Sequence, residues 1–484
     1  MDKWAKDWLE AQREQGTKCL EIKMIGKNHY VYHSTTYWDK ELKKPRKTSK
    51  YIGKLDKDDG LIESRKRKKL ASSDIRNVTE YGKSMILHGS MNSFKPLLID
   101  AFPDCWEEIY SLAMVRINGY VPMKRAKESW EKFYNVEHID PQLNPKNLSK
   151  VLHSVGINRV GQNTIFRKLT DQSNQLVYVL GSVFTRSMSI AQAEKGYNKD
   201  HLHVPLINLA LLYSADTGLP AMIWSIPESV RDIATLYNSI KEIDAKGKTL
   251  ILDGGFFSDD RMEFLEEMDM SYVLPTRRNS MHYENRVHLN EHFMYHKRLI
   301  RCGKKRFDKY VLYLFDDQDL KLEEQKTLYN KLDEGKINKK QLNEKMKRAG
   351  QILIVSNLDV EEYEIFELFK KRETVEKMFD TYKTVLDADK LYLHSDESVF
   401  GHVFISFISL YIHCTIENIL KKAGLDRKIT PIDLLHKYSR VYHIDLKEGG
   451  LITEVPKKVR ELDEKLGLAI FPKRRVKVQT IKAG

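Results

Sequence analysis

Cysteine is scarce in this 484-residue sequence, which has only four: Cys19, Cys105, Cys302 and Cys414. They stand far apart, with no C-x-x-C pair and no cluster of histidines at zinc-binding spacing. The sequence therefore predicts neither a disulfide framework nor a structural zinc site. We expect four isolated, reduced thiols.

Long apolar runs are lacking as well. The sequence shows no stretch of about 18 apolar residues, the length that spans a bilayer, and no charged-then-apolar leader. These absences exclude a membrane protein and favour a cytoplasmic one. Hydrophobic residues nevertheless make up 41% of the chain. That content is enough for a sizeable core and for roughly two to four domains.

Positive charge is in excess and unevenly spread. The chain has 81 Lys and Arg against 68 Asp and Glu, a formal charge of +13. Such a balance favours an anionic partner, and nucleic acid is the first candidate. Residues 41–70 are the most basic part, with twelve Lys and Arg against five acids.

A small basic β-rich module is predicted over residues 1–73. Two strand-like aromatic runs, HYVYHSTTYWD and TSKYIGKL, are joined by the basic turn KKPRK. We expect this turn to contact DNA phosphates; the alternative is a solvated hairpin. The contacting residues would be Lys43, Lys44, Arg46 and Lys47.

The next region, 74–174, shows helical patterns with basic faces and turn signals such as NGYVP. We expect a helical DNA-binding domain, although no helix-turn-helix is clear enough to name the residues that contact bases. At the other end, 426–484 predicts helices, a short strand pair and the basic tail FPKRRVKVQTIKAG. That tail is either a disordered solubilising segment or a DNA or dimer contact.

Residues 175–425 predict an α/β core with a mixed sheet. Apolar strand-like runs flank a hairpin at Asp216-Thr217-Gly218, and helical segments follow. An insertion over about 270–350 begins with basic, aromatic strands and ends with a charged helical hairpin. Arg277 and Arg278 lie in it, and we expect them to hold phosphates or an unpaired base, unless the segment is merely solvated.

The stretch FKKRETVEKMFDTYK (369–383) places four unlike side chains on one side of a predicted helix. At about 100° per residue, Phe369, Arg372, Glu376 and Lys383 fall within about 60° of one another. Taken alone, the pattern is better explained by an ordinary Arg372–Glu376 ion pair on a solvated helix face. An apolar stripe adjoins this set and predicts a buried side: Leu368, Val375, Phe379, Tyr382 and Leu386.

The spacing of those four residues resembles the Y-R-E-K signature of one branch of insertion-sequence transposases in the DDE superfamily. The signature is Tyr, two residues, Arg, three residues, Glu, six residues, Lys. Here Phe369 replaces the Tyr and every spacing matches. Further similar segments run along most of the chain: YVYHSTTYWDKELKKPRKTSKYIGKL, EKGYNKDHLHVPLINLALLYSADTGLP, LDGGFFS and GHVFISFISLYI.

This resemblance implies an RNase H-like core with an insertion before its last acidic helix. In that family three carboxylates hold two Mg²⁺ (or Mn²⁺) ions, which drive phosphodiester cleavage and strand transfer. Asp253 matches the second acid and Glu376 the third. Arg372 and Lys383 match the residues implied to hold phosphates, and Phe369 keeps a capacity to stack without the Tyr hydroxyl.

The first acid is missing. The resemblance places it at Val179, and no Asp or Glu occurs between Asp171 and Glu194. Loss of one carboxylate leaves excess positive charge at a two-metal site, so metal affinity and rate should both collapse.

We therefore expect a homodimeric protein that binds double-stranded transposon-end DNA, the inverted repeats, with cleavage impaired or lost. The alternative is a domesticated, catalytically inactive DNA-binding or regulatory protein. A generic nuclease has no feature in its favour.

Overall fold

The structure is a computed structural model. It describes residues 2–26, 28–39, 43–57, 60–63, 75–184, 194–197, 203–226, 240–253, 259–386, 393 and 395–472. The chain divides into two compact units, Met1–Ile75 and Arg76–Gly484. The domain boundaries predicted at 174 and 425 stay predictions.

The first unit packs one helix on a small antiparallel sheet. Its described strands follow the order β1-β2-β3-β4, and a small apolar core joins the helix to the sheet through Ala5, Leu9, Leu20, Val31 and Leu55. The basic run at 65–69 lies outside the described residues. The element bounds are α1 Lys3–Glu14, β1 Leu20–Ile25, β2 Asn28–Asp39, β3 Lys44–Asp56 and β4 Gly60–Glu63.

The second unit contains the remaining helices and strands. Its helices are α2 Tyr81–Met91, α3 Lys95–Ala101, α4 Trp106–Val115, α5 Met123–Trp130, α6 Pro145–Ile157, α7 Arg159–Asp171, α8 Asp259–Glu267, α9 Gln318–Asp333, α10 Lys339–Met346, α11 Glu362–Lys370, α12 Arg372–Asp380, α13 Asp396–Lys422, α14 Pro431–Tyr438 and α15 Lys457–Leu466. Its strands are β5 Ile75–Glu80, β6 Gln175–Phe184, β7 Glu194–Tyr197, β8 His203–Ser214, β9 Leu219–Ile226, β10 Thr249–Ile251, β11 Ser271–Pro275, β12 Glu291–Tyr295, β13 Arg298–Arg306, β14 Val311–Asp317, β15 Gln351–Ser356, β16 Tyr442–Leu446 and β17 Gly450–Ile452.

A mixed sheet is the centre of the second unit. Within the described residues its order is β12-β13-β14-β15-β11-β10-β6-β8-β7, and β9 also pairs with β8. Strands β6, β8 and β9 are antiparallel neighbours, whereas β10 and β11 run parallel to β6. The order β9-β8-β6-β10-β11 with these directions is that of an RNase H-like sheet, so the predicted fold class is confirmed.

Two local predictions in this sheet are confirmed. The hairpin at residues 216–218 joins β8 to β9, and Gly218 has the positive φ of 71° that a tight turn often needs. The insertion contributes β12, β13 and β14, which lengthen the sheet beyond β15, followed by the helical pair α9 and α10. The start predicted at about 270 is too early, because β11 (Ser271–Pro275) is a strand of the central sheet. In the sequence, the added segment follows β11 and precedes β15.

The segment IRNVTE was predicted to begin a helix, and that prediction is wrong. It forms β5, which pairs with β16 beside β17 in a separate sheet. Its β-branched Ile75, Val78 and Thr79 suit an extended backbone. The C-terminal strand pair supplies a partner about 360 residues away in the sequence, which local periodicity does not reveal.

The stretch 369–383 is not one uninterrupted α-helix as predicted. Helix α11 ends at Lys370, α12 begins at Arg372, and Thr381–Val385 form a π-helical turn. The wider π turn invalidates the projection of about 100° per residue at Lys383. The predicted apolar stripe is nevertheless confirmed, because its five side chains are all buried.

Helix α13 runs through the core. It packs against α4, α6 and β9, and its Ser395 cap accepts a hydrogen bond from Ser398 N at 3.3 Å. Of the described helices it is the one long and apolar enough to cross a bilayer, a segment that the search for apolar runs did not select. In the fold, 89% of its most apolar window is buried, as in a core helix.

Candidate active site

Asp253 lies at the carboxyl end of β10 in the middle of the sheet. In the parallel pairing with β6, Ile251 is opposite Val177. The chain keeps this course beyond the strand, because Leu252 N donates to Val273 O at 3.1 Å. Continuing the register by two residues places Asp253 level with Val179. The expected position of the missing acid is therefore beside the second acid.

Val179 faces helix α12. Alternate residues of a strand share a face, and two neighbours of Val179 on that face contact the helical segment. Gln175 Oε1 accepts from Lys371 Nζ at 2.6 Å, and a Cβ added at Gly181 would lie 2.5 Å from the ring of Phe379. Val179, only 9% exposed, presents an apolar side chain where a carboxylate would face the helix.

Arg372 connects the two matched acids. Its Nη1 donates to Asp253 Oδ1 at 2.6 Å, and its Nε lies 3.6 Å from Glu376 Oε1. The guanidinium carbon is 4.9 Å from the ring centroid of Phe369, a cation–π contact. The Arg372 side chain is 22% exposed, against 54% for Asp253 and 57% for Glu376. The site thus opens to solvent on the carboxylate side.

Phe369 and Lys383 take different positions from those an ideal helix gives. The Phe369 side chain is 7% exposed and joins the core cluster that also contains Phe366. Its ring therefore supports Arg372 rather than lying open for a base. Lys383 Nζ lies 5.3 Å from the ring centroid of Phe379 on the π turn. The role of each toward DNA stays a prediction.

Lys371 is a cation of this site that the sequence interpretation missed. Besides contacting Gln175, it lies near Asp216, in the β8–β9 turn, and makes the smallest of the contributions to the pKa of that carboxyl. Burial alone would raise that pKa. Hydrogen bonds from the backbone N of Asn174 and of Gln175 and from the Ser173 hydroxyl outweigh burial. The sequence signal was the Lys-Lys-Arg run at 370–372. That run does not show that Lys371 lies against Gln175 of strand β6, because the two residues are far apart in the sequence.

The residues present do not fit a two-metal centre. Two Mg²⁺ ions need several oxygen ligands from different elements. Here Asp253 and Glu376 supply carboxylates, Val179 supplies none, and Arg372 already holds one oxygen of Asp253. Over the described ranges, neither acid belongs to a group of three potential metal ligands lying close together.

One such group does occur among the described residues, on helix α13. Ligand atoms of His413, Cys414 and Glu417 all lie within 4.8 Å of one another. Glu417 is paired with Lys421 at 2.9 Å. Burial raises the pKa of the Cys414 thiol and lowers the pKa of His413, so both are neutral near pH 7. In the sequence these residues form the spacing H-C-x-x-E.

The two predicted arginines of the insertion differ in their surroundings. Arg278 donates from both terminal nitrogens to Glu324 of α9, each at 2.6 Å, and also contacts the carbonyl of Arg348. Arg278, Glu324 and Arg348 line a cleft of about 980 Å³ that lies against the α9–α10 pair. Arg277 is exposed. Arg278 is therefore held by contacts within the fold, although 36% of its side chain is exposed, and Arg277 is the more exposed of the two.

The four basic residues predicted in the first unit are all exposed at the end of the β2–β3 hairpin. Lys43 has a positive φ of 45° in the turn. Arg46 pairs with Asp39 at 3.3 Å and Lys47 with Glu21 at 2.8 Å. Such exposed pairs are weak, so the cations remain available to an anionic partner.

Comparisons with known proteins give the family. No curated protein matches. A solved structure with a partial likeness is the cryo-EM structure of the piggyBac transposase synaptic complex with hairpin DNA. It shares 11% identity over 86% of this chain and 81% of that chain, with a TM-score of 0.34. So low a score carries no argument about this site. The model of the transposase DDE domain matches residues 167–412, from α7 to α13. Because that match spans just over half of the sequence, the protein belongs to the transposase DDE domain family.

Proposed function

We propose that this protein belongs to the Y-R-E-K branch of the family, binds transposon-end DNA at inverted repeats, and has impaired or lost strand cleavage. The observation that supports impaired cleavage is the geometry around Asp253. An apolar Val179 stands level with it on the neighbouring strand, and the guanidinium of Arg372 contacts its carboxylate.

Charge explains why cleavage should suffer. Members of the family usually use a divalent metal, and bound Mg²⁺ or Mn²⁺ would supply Lewis-acid chemistry. Asp253 and Glu376 would be its ligands in this chain. Two carboxylates neutralise less of the charge of a metal pair than three do, and Arg372 adds one more positive charge beside them. A weakly held metal gives a slow or inactive enzyme.

The same cations support binding of DNA. Arg372 is positioned between Phe369 and Asp253, where its guanidinium can exchange a carboxylate for a phosphate oxygen. Lys383, exposed Arg277 and the basic hairpin add further positive charge. We propose duplex DNA as the partner, a homodimer as the assembly, and a cytoplasmic location that becomes nucleoid-associated on DNA.

A second candidate is favoured by the same observation. If cleavage has been lost altogether, the protein is a domesticated DNA-binding or regulatory protein that keeps the fold and the DNA contacts of its ancestors. The presence of intact inverted repeats beside the gene favours a mobile element. A fixed neighbouring gene favours domestication.

The test is plasmid nicking. Purified protein is incubated with a plasmid that carries the flanking inverted repeats, in Mg²⁺ or Mn²⁺, beside Asp253→Ala. We expect no more nicking than with the Asp253→Ala control. In a separate gel-shift assay, we expect the protein to bind a DNA fragment that carries the repeat. Nicking that Asp253→Ala abolishes would refute the impairment. Equal affinity for repeats and scrambled duplex would refute recognition of transposon ends.

A further inference from the structure

The hairpin of β2 and β3 extends beyond the sheet that carries it. Strand β1 pairs with β2 as far as His33, and β4 pairs with β3 only from Gly53 onward. Ser34 N still donates to Cys19 O at 2.8 Å. Further out, among the described residues, β2 and β3 pair only with each other, as far as Asp39–Lys44. At about 3.4 Å per residue this two-stranded ribbon extends roughly 20 Å. We call it the ribbon, defined as residues 34–39 and 44–49.

The ribbon has no core of its own. Residues 44–51 are exposed without exception, and so are residues 35–38 on the partner strand. Tyr37 is 50% exposed and Trp38 62%. Isolated two-stranded ribbons are at best marginally stable in water. A sequence that keeps aromatic and β-branched side chains on one therefore suggests a surface that a partner covers.

Charge selects the partner. Residues 43–50, KKPRKTSK, carry five Lys and Arg and no acid, and the opposite strand has Asp39 alone. A protein strand adding to the ribbon edge is disfavoured, because Pro45 and the lysines are the features that block such pairing. The major groove of B-DNA, in contrast, admits a two-stranded ribbon and offers phosphates on both sides.

The two faces of the ribbon are not equivalent. Directly opposed residues share a face, so Tyr37 lies with Arg46 on one face and Thr36 with Lys47 on the other. On the Lys47 face, Glu21 accepts hydrogen bonds from Lys47 and Ser34. Those bonds, that of Lys47 first, lower the pKa of Glu21. Each face carries one acid, because Asp39 pairs with Arg46 on the other face. The Arg46 face balances Lys44, Arg46 and Lys50 against Asp39, whereas the Lys47 face balances Lys47 alone against Glu21, so the net positive charge lies on the Arg46 face.

We propose that the ribbon lies in the major groove of duplex DNA, with the face of Tyr37 and Arg46 toward the base edges. This face also carries the hydroxyls of Thr35 and Thr48 and the charges of Lys44 and Lys50. Arginine is the side chain that most often binds guanine, through O6 and N7, and lysines at the sides hold phosphates. The inference rests on the proposed function and specifies how the DNA is bound.

The ribbon offers a matched pair of variants, since Arg46 and Lys47 are consecutive, basic and exposed on opposite faces. Affinity of the full chain is measured by gel shift on a repeat duplex and on a scrambled duplex. We expect Arg46→Ala to weaken binding to the repeat about tenfold or more, with much of the preference over scrambled DNA lost. Lys47→Ala should weaken binding to the repeat and to the scrambled duplex by about the same factor, and this factor should be smaller than the effect of Arg46→Ala on the repeat. Equal effects of the two variants would overturn the assignment of faces.

Methylation interference identifies the groove. Dimethyl sulfate modifies guanine N7 in the major groove and adenine N3 in the minor groove, so we expect interference at guanines only. Interference confined to adenines would refute the proposal, and so would equal affinity for duplex RNA, whose major groove is too narrow.

Failure of the ribbon inference can be told apart from failure of the proposed function. If the wild type binds repeats while Arg46→Ala has no effect, the ribbon inference fails alone. If the wild type shows no preference for repeats, the proposed recognition fails. The ribbon is then tested on scrambled duplex, where a salt dependence unchanged in Arg46→Ala counts against it.

Discussion

Replacing Val179 by aspartate should restore metal binding at a measurable free-energy cost. The side chain is 9% exposed and faces α12 beside Asp253. Without metal, loss of its apolar burial and addition of a poorly solvated charge near two carboxylates should lower the free energy of unfolding by about 3 to 5 kcal/mol. A metal ion at about 100 times its dissociation constant should return about 2.7 kcal/mol.

Arg372 does not prevent this rescue. Its contact with Asp253 is half open to solvent, with 54% of the Asp253 side chain exposed. An ion pair of that kind is worth about 1 kcal/mol or less. A divalent ion held by three carboxylates should therefore displace the guanidinium from Asp253.

Titration calorimetry with Mn²⁺ and thermal melts in EDTA and in Mn²⁺ measure the two effects. Val179→Asn is the matched control, because the amide has the size of the acid without its charge. We expect heat of binding and a Mn²⁺-dependent rise in melting temperature for Val179→Asp only. If Val179→Asp binds no more Mn²⁺ than Val179→Asn, the placement of the lost acid at this position is wrong.

Three further predictions concern burial. Burial lowers the pKa of His88 to about 4. Because the unfolded chain, with a pKa near 6.5, takes up the proton first, stability should fall between pH 6.5 and 4, by about 2 kcal/mol at pH 5. Denaturation of His88→Gln should lack this component, and an unchanged pH dependence would contradict the assignment. A thiol reagent should react quickly with exposed Cys19 and very slowly with buried Cys302 and Cys414 in the native protein; four equally fast thiols would argue against these positions. Gly181→Ala should cost about 1 to 3 kcal/mol, because its methyl group meets a phenyl ring of α12, and a denaturation midpoint equal to the wild type's would show that the helix is free to move.

Local pattern predicted those elements whose partners are near in sequence. The hairpin at 216–218 and the buried stripe of Val375, Phe379 and Tyr382 follow from residue periodicity and turn chemistry, and both occur in the structure. The strand Ile75–Glu80 could not be predicted in this way, because its pairing partner lies near the other end of the chain. The π turn was also missed, since nothing in its residue types distinguishes it from α-helix.

The candidate site was predicted as a set of residues but not as an arrangement. The resemblance supplied Asp253, Glu376 and Arg372, and the register places Val179 level with Asp253 on the neighbouring strand. That Val179 replaces the first acid stays a prediction. The contact between Arg372 and Asp253 joins residues 119 positions apart, so no spacing could reveal it. The commitment of Arg278 to Glu324 was hidden for the same reason.

The pairing of β5 with the C-terminal strands also bears on how the protein is made. The first unit has a small core of its own, made from residues that are translated first. The second unit, in contrast, exposes the edge of Ile75–Glu80 until Tyr442–Leu446 has been translated. An unpaired edge invites association with other chains. A product truncated before residue 442 therefore lacks β16 and leaves the edge of β5 unpaired. We expect such a product to aggregate or be degraded rather than to be partly active.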